Sequence, residues 1–345
     1  MKDSKKFLKN FIFFLILIFI TFYILFKDQD INNMINVLKH VDVRYILVAM
    51  ICMLGFTLCE SLNSKRILKA LSEKTNLLNC VKYTFTNAFY SAITPSSTGG
   101  QPMEVHSMHK DGIKISNATL AVLIQSCAFQ IITLSFAIVS IIYNTQIINT
   151  AILILFIIGF ILNAFILTAY LSAVFSKRIS NWAIKLFVKI LKRFKYKNIE
   201  DLEKRLYDGL EEYQASAKFI KNNKGVILKT LITTLFQKFF FYSVTYFVYY
   251  SFGFRTYNIF QIVSMQAIVY TSTSGIPLPG AVGVSEGSFM SLFKNIFTNN
   301  TITEAMLLSR MVSFYLVVLL SGIVVTVNVI KKGNKKEEDE NGRDW

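Results

Sequence analysis

The residues of this chain best placed to do chemistry are charged or glycine positions set inside apolar sequence. Thr94-Pro95-Ser96-Ser97-Thr98-Gly99-Gly100-Gln101-Pro102-Met103-Glu104 interrupts one apolar stretch, and Gly275-Ile276-Pro277-Leu278-Pro279-Gly280-Ala281-Val282-Gly283-Val284-Ser285-Glu286-Gly287 interrupts another. In both, a glutamate follows a proline by nine residues, Pro95 to Glu104 and Pro277 to Glu286. Prolines and glycines turn the chain, and small residues let two backbones approach and leave N–H groups free for an anion such as phosphate. An ionisable group at membrane depth is a functional candidate by default. Glu104 and Glu286 are such groups, and helix capping is their plainer reading. Lys238 lies mid-run, Arg310 a little inside the last run and Glu60 late in an earlier one. The two cations suit a phosphate, and the carboxylates suit them when the site is empty. Gln101, Gln125, Gln130 and Gln237 add polar lining or interhelical hydrogen bonds. The candidate substrate-binding set is therefore Glu104, Gln101, Gly99, Gly100, Glu286, Gly283, Lys238 and Arg310.

Other chemistries lack their patterns. Glu104-x-His106-x-x-His109 does not have the spacing that brings two imidazoles together one helical turn apart, so no metal ligand set is assigned. No phosphate-binding G-x-x-x-x-G-K-[ST] run occurs, and no spacing supports a nucleophile–histidine–acid set. No catalytic residue and no cofactor are assigned. Cys52, Cys59, Cys80 and Cys127 lie in or beside apolar runs without a C-x-x-C and read as packed thiols.

The elements that must carry these residues are membrane helices. Of 345 residues 53% are hydrophobic and 17% charged, with a mean hydropathy of +0.46. This is too apolar for one soluble core, and the runs are continuous rather than alternating, which argues against a barrel. The formal charge of +16 collects in loops rather than in a nucleic-acid-binding module. Membrane lipids are the expected partners, self-association is left open, and nucleic acid is not expected.

The order reads as a retained first span to Phe26, a second from about Tyr45 to Leu62, a short apolar piece Tyr83 to Ile93 before the first break, then spans Ile115 to Tyr143 and Thr150 to Phe175. Residues 176–224 form basic amphipathic helices, with Lys185, Lys189, Lys192 and Arg193 on one face and Trp182, Leu186, Ile190 and Phe194 toward another, suited to an anionic leaflet. A fifth span, Val226 to Phe252, precedes the piece Ile259 to Tyr270, the second break and a sixth span, Ala305 to Ile330. Each short piece is too short to cross and is read as half of a re-entrant hairpin, the first opening inside and the second outside. The expected fold class is an all-α integral membrane protein of about six full spans plus two re-entrant helical hairpins in an inverted-topology repeat. Residues 1–330 form one polytopic domain in the cell membrane, with both termini cytoplasmic and a charged, disordered tail over 331–345.

With Pro95 to Glu104, Pro277 to Glu286 and Arg310 in place, the sequence resembles the transmembrane domain of lysylphosphatidylglycerol synthase (multiple peptide resistance factor) and its stand-alone flippase-like relatives. The resemblance covers nearly the whole chain. It implies translocation of aminoacyl-phosphatidylglycerol, another phospholipid or a polyprenyl- or glycolipid, with a role in envelope lipid homeostasis and cationic peptide resistance. The synthases also carry a large cytoplasmic lysyltransferase domain. A chain ending at Trp345 is expected to lack it and not to be an enzyme alone. One alternative is a membrane component of lysylphosphatidylglycerol synthesis acting with a separate transferase; another is a non-transporting scaffold.

Overall fold

The computed structural model describes residues 36, 39, 41–94, 97–144, 148, 150–193, 199–276, 281, 283–298 and 301–341. The expected first span and the prolines of both breaks except Pro102 lie outside them. Five described helical segments are long and apolar enough to cross a membrane: α1 (Val43–Ala70), α4 (Ile115–Tyr143), α5 (Thr150–Phe175), α8 (Lys224–Ser251) and the last, Ile302–Asn328. No strand occurs among the described residues. On α1, Leu47, Ile51, Leu54, Leu58 and Leu62 form an exposed apolar stripe at helical spacing. Such a stripe is stable against lipid and costly in water. The chain is an all-α, multi-pass membrane protein.

Between the long helices lie two short pairs. α2 (Leu77–Ile93) packs on α3 (Gly100–Lys110), and α9 (Ile259–Thr273) packs on α10 (Val284–Phe293). Side-chain caps start several of these elements. Asn76 accepts from the Asn79 N–H at 2.8 Å and begins α2, while Asn258 and Gln261 form a reciprocal capping box on α9. The Asn76 cap explains why α2 begins at Leu77, ahead of the Tyr83 start that hydropathy suggests. Hydropathy likewise ends the second span at Leu62, whereas α1 continues to Ala70. Arg66 folds back there to Asn63 at 2.7 Å and to the Lys229 carbonyl at 2.9 Å.

The α1–α8 interface is the most extensive in the fold. Its polar seam includes the Asn63 amide donating to Thr234 at 3.0 Å, and Gly55 lets the Phe240 ring approach. Around this core the short pairs dock crosswise. α2 packs on α1 and on the last long helix, while α9 packs on α8, α4 and α5. Asn163 on α5 and Asn144 after α4 donate to Ser274 and Ser264, at 3.0 and 2.8 Å. Interhelical hydrogen bonds of this kind fix register where packing alone is weakly selective.

The last long helix is broken. α11 (Ile302–Arg310) passes through a π turn, Met311–Tyr315, into α12 (Leu316–Asn341). A π turn widens a helix by one residue and often sits at functional sites. α12 runs beyond Ile330, through a segment whose charge points to disorder; its Lys and Glu residues are also good helix formers.

The polar segment folds as α6 (Lys177–Arg193) and α7 (Ile199–Asn222). On α6, Trp182 and Leu186 are exposed beside Lys185 and Lys189. α7 is tied to α4, since Glu212 pairs with Lys114 and accepts from Ser116 at 3.0 Å, and Ser216 donates to Asn117 at 2.9 Å. Lys114 and then Ser116 hydrogen-bond the ionised carboxylate and hold Glu212 below the ordinary glutamate range. A carboxyl depressed on folding stabilises above its unfolded range and loses that contribution as pH falls through its folded value. Amide protection over Ile199–Asn222, taken relative to the intrinsic exchange rate at each pH, is therefore expected to fall as pH drops below the ordinary carboxylate range and to be flat above it. Glu212→Gln should remove that pH step, as read by hydrogen-exchange mass spectrometry.

Candidate functional site

The two short pairs flank two adjoining chambers. The larger, of about 640 Å³, lies among α1, α2, α3, α4, α5, α8 and α9 and the last long helix. The smaller, of about 220 Å³, lies among α8, α9, the start of α10 and the last long helix. Ser97, Phe241, Tyr270, Ser274, Ser313 and Phe314 line both, so they form the wall between them. The larger volume falls in the range of about 300–1,000 Å³ usual for ligand pockets.

Charge separates the two. Among the described residues, Glu60 and Glu104 line the larger chamber without a Lys, Arg or His, whereas Arg310 is the charged side chain lining the smaller. Glu104 is 1% exposed; Asn87 donates to its Oε2 at 2.7 Å, and its Oε1 has no hydrogen-bond partner among the described residues. A buried carboxylate oxygen without a donor is costly, so it marks a place where water, a proton or a ligand is expected. Glu60 Oε2 accepts from the Gln237 amide at 3.3 Å. Gln101 donates to Ser126 and to the Tyr170 hydroxyl, both at 2.9 Å, and ties α3 to α4 and α5. All four glutamines singled out from sequence, Gln101, Gln125, Gln130 and Gln237, line this chamber.

At the smaller chamber, Arg310 Nε lies 2.8 Å from Glu286 Oε1, both side chains being largely buried. The other Glu286 oxygen accepts the Gly283 N–H at 2.6 Å, so the carboxylate also caps α10. Gly283 has φ +86°, which a residue with a side chain adopts only with strain. Arg310 Cζ stands 4.7 Å from the Phe314 ring centroid, within the π turn. The two tips carry a shared oddity. Ser97 at φ +56° and Ala281 at φ +51° both take left-handed backbone, and both line the smaller chamber. Strain of this kind is kept where a surrounding structure demands it, often at ligand sites.

One family model, described as the lysylphosphatidylglycerol synthase TM region, matches residues 10–321. The chain belongs to that family. It is also 24% identical over 326 residues to a UPF0104 membrane protein of Archaeoglobus fulgidus, covering 89% of this chain and 94% of the relative.

In this member of the lysylphosphatidylglycerol synthase TM region family, the eight candidates divide by position. Gln101 and Glu104 line the larger chamber and Arg310 the smaller. Glu286 stands behind Arg310 as its partner. Gly99, Gly100 and Gly283 shape the chain instead. The Gly99 N–H donates to Thr94 at 2.9 Å, and Gly100 is buried against α2. Lys238 is fully buried, with Nζ 3.5 Å from the Phe129 ring centroid and 3.8 Å from that of Tyr270. Those rings line the larger chamber and stand between it and the ammonium group. Cation–π attraction worth about 2 kcal/mol when desolvated offsets part of the burial cost. Asn87, Phe129, Tyr170 and Tyr270 were not legible as site residues. An asparagine or aromatic in an apolar helix carries no signal until its neighbours are known.

Proposed function

We propose that this chain is the lipid-handling membrane component of a lysylphosphatidylglycerol-type system and carries a lipid headgroup between leaflets. The observation that carries this reading is the pair of joined chambers of opposite character. An aminoacyl-phosphatidylglycerol bears an ammonium group and a phosphodiester. The acid-lined chamber of Glu60 and Glu104 suits the first and Arg310 suits the second. The shared wall at Ser97, Ser274 and Ser313 gives a polar passage between them.

The two helical pairs are re-entrant hairpins of an inverted repeat in this account, within one polytopic domain in the plasma membrane with cytoplasmic termini. α3 and α10 have 11 and 10 residues, well short of the about 20 needed to cross. The packing supports the repeat: α1 exchanges with α8, α2 with α9, and α4 with the last long helix, and each pairing has its image among the contacts. The glycines of the two breaks shape the tips, and Lys238 holds Phe129 and Tyr270 in the chamber wall.

The family description favours a second reading, in which the chain takes part in lysylphosphatidylglycerol synthesis beside a separate transferase. Reconstitution separates them. Purified chain in liposomes with headgroup-labelled lysylphosphatidylglycerol is expected to exchange label between leaflets with no other protein present. No exchange, together with lysine transfer from charged tRNA once a soluble transferase is added, would reject translocation in favour of synthesis.

A further inference from the structure

The charges around the larger chamber do not balance. Glu104 on α3 and Glu60 on α1 line the larger chamber, and Lys238 on α8 lies against the Phe129 and Tyr270 rings that also line it. The three belong to the elements that bound the chamber from the first helical pair to the central α1–α8 core. Two carboxylates and one ammonium leave a net negative charge in a buried cluster, where an uncompensated ion is costly. Among the described residues, the other titratable groups about the cluster include Cys80 on α2, Tyr170 on α5, Tyr242 on α8 and Tyr270 on α9, and none of these brings a positive charge. From α4 the facing polar groups are the neutral Gln125 and Gln130. Glu104 Oε1, which has no hydrogen-bond partner among the described residues, belongs to this cluster. With the chamber empty, the cheapest neutralising species is a proton from chamber water. A lipid ammonium group arriving at the same carboxylates brings the missing charge itself.

We propose that Glu104, which shares the larger chamber with Glu60, is a proton-binding site, and that a cationic headgroup and a proton occupy it in exchange. This rests on the lipid-handling reading and gives it a driving force. When the ammonium group enters, the carboxylic O–H of Glu104 breaks, its proton passes to chamber water, and the carboxylate pairs with the ammonium. When the headgroup leaves into the opposite leaflet, Glu104 takes a proton from that side. Lipid and proton therefore move in opposite directions. Asn87 holds the other carboxylate oxygen in place through the cycle.

The test has two arms, each with a readout of its own. In weakly buffered detergent at neutral pH, adding lysylphosphatidylglycerol to the purified protein should release about one proton per bound lipid, followed with a pH-indicator dye. Lysine-free phosphatidylglycerol should release none. Glu104→Gln keeps size and the acceptor for Asn87 and should abolish the release; Glu60→Gln should reduce it, and both must elute as the wild type does. In proteoliposomes, an imposed difference of one pH unit should bias labelled lysylphosphatidylglycerol about tenfold toward the leaflet facing the acidic side, and reversing it should reverse the bias. Lipid binding with no proton release overturns the proton site. Flipping that ignores the pH difference, or follows sodium instead, overturns the exchange while leaving translocation intact. Proton release without any flipping leaves the site standing and rejects translocation.

Discussion

Arg310→Ala is expected to lower stability by about 3–5 kcal/mol and to slow lipid exchange about ten- to hundredfold. The first figure is the usual cost of removing one partner of a buried ion pair, because the other is left charged and unpaired. Arg310 and Glu286 meet at 2.8 Å with side chains 16% and 6% exposed, so the pair is buried enough for that regime. The second figure follows from losing a charge-assisted contact to phosphate, worth about 1.5–3 kcal/mol, at about 1.4 kcal/mol per tenfold in rate. The two effects separate in a double variant. Arg310→Met with Glu286→Gln removes both charges, and a glutamine at 286 still accepts the Gly283 N–H that caps α10. Thermal unfolding of the double variant should return close to wild type, whereas its lipid exchange should stay as slow as that of Arg310→Ala. Recovery of exchange together with stability would make the pair purely structural.

Gly100→Ala is expected to cripple the first helical pair although it adds one methyl group. A Cβ at Gly100 would lie 1.9 Å from Ser91 Oγ, 2.3 Å from Asn87 Oδ1 and 2.8 Å from the Asn87 carbonyl oxygen. The two side-chain atoms can swing away, but the backbone oxygen moves only if α2 and α3 separate. Overpacking of this kind costs about 1–3 kcal/mol. Displacing Asn87 adds the loss of the 2.7 Å hydrogen bond to Glu104, worth about 0.5–1.5 kcal/mol for the neutral carboxyl of the empty chamber. The expected result is a lower unfolding temperature and loss of lysylphosphatidylglycerol binding. Asn87→Ala, which removes only the donor, should weaken binding with a smaller loss of stability. Equal stability of Gly100→Ala and wild type would mean that the close α2–α3 approach does not hold.

Much of the frame was legible because hydropathy and length report it directly. The limits of α4 and α5 agree with the apolar runs Ile115 to Tyr143 and Thr150 to Phe175 to the residue. The far end of α1 and the start of α2 were not legible, since the folded-back Arg66 and the Asn76 cap, not apolar character, mark them, whereas α2 ends at the expected Ile93. The two breaks were visible as runs of Pro, Gly and Ser, and so was the spacing to Glu104 and Glu286. Their equivalence in sequence hid a difference in role: Glu286 caps α10 and pairs with Arg310, whereas Glu104 lies more than a turn inside α3 with an oxygen facing the chamber. The π turn after Arg310 carries no proline or glycine and leaves no trace in composition. Lys238 read as a phosphate ligand because a mid-helix cation needs a partner. Its partners are the faces of Phe129 and Tyr270, which only the tertiary packing of α4 and α9 brings to α8.

The proposed re-entry of the two helical pairs from opposite sides of the membrane to a shared chamber is open to direct measurement. Its most direct measurement is sided labelling of single cysteines at Ser97 and Ala281, introduced into a chain lacking Cys52, Cys59, Cys80 and Cys127 and reconstituted in one orientation. Both positions line the smaller chamber, and both have left-handed backbone that cysteine tolerates as well as the residue it replaces. A membrane-impermeant thiol reagent is expected to reach Ser97→Cys from one face and Ala281→Cys from the other, with added lysylphosphatidylglycerol protecting both. Labelling of the two positions from the same face would contradict the proposed re-entry.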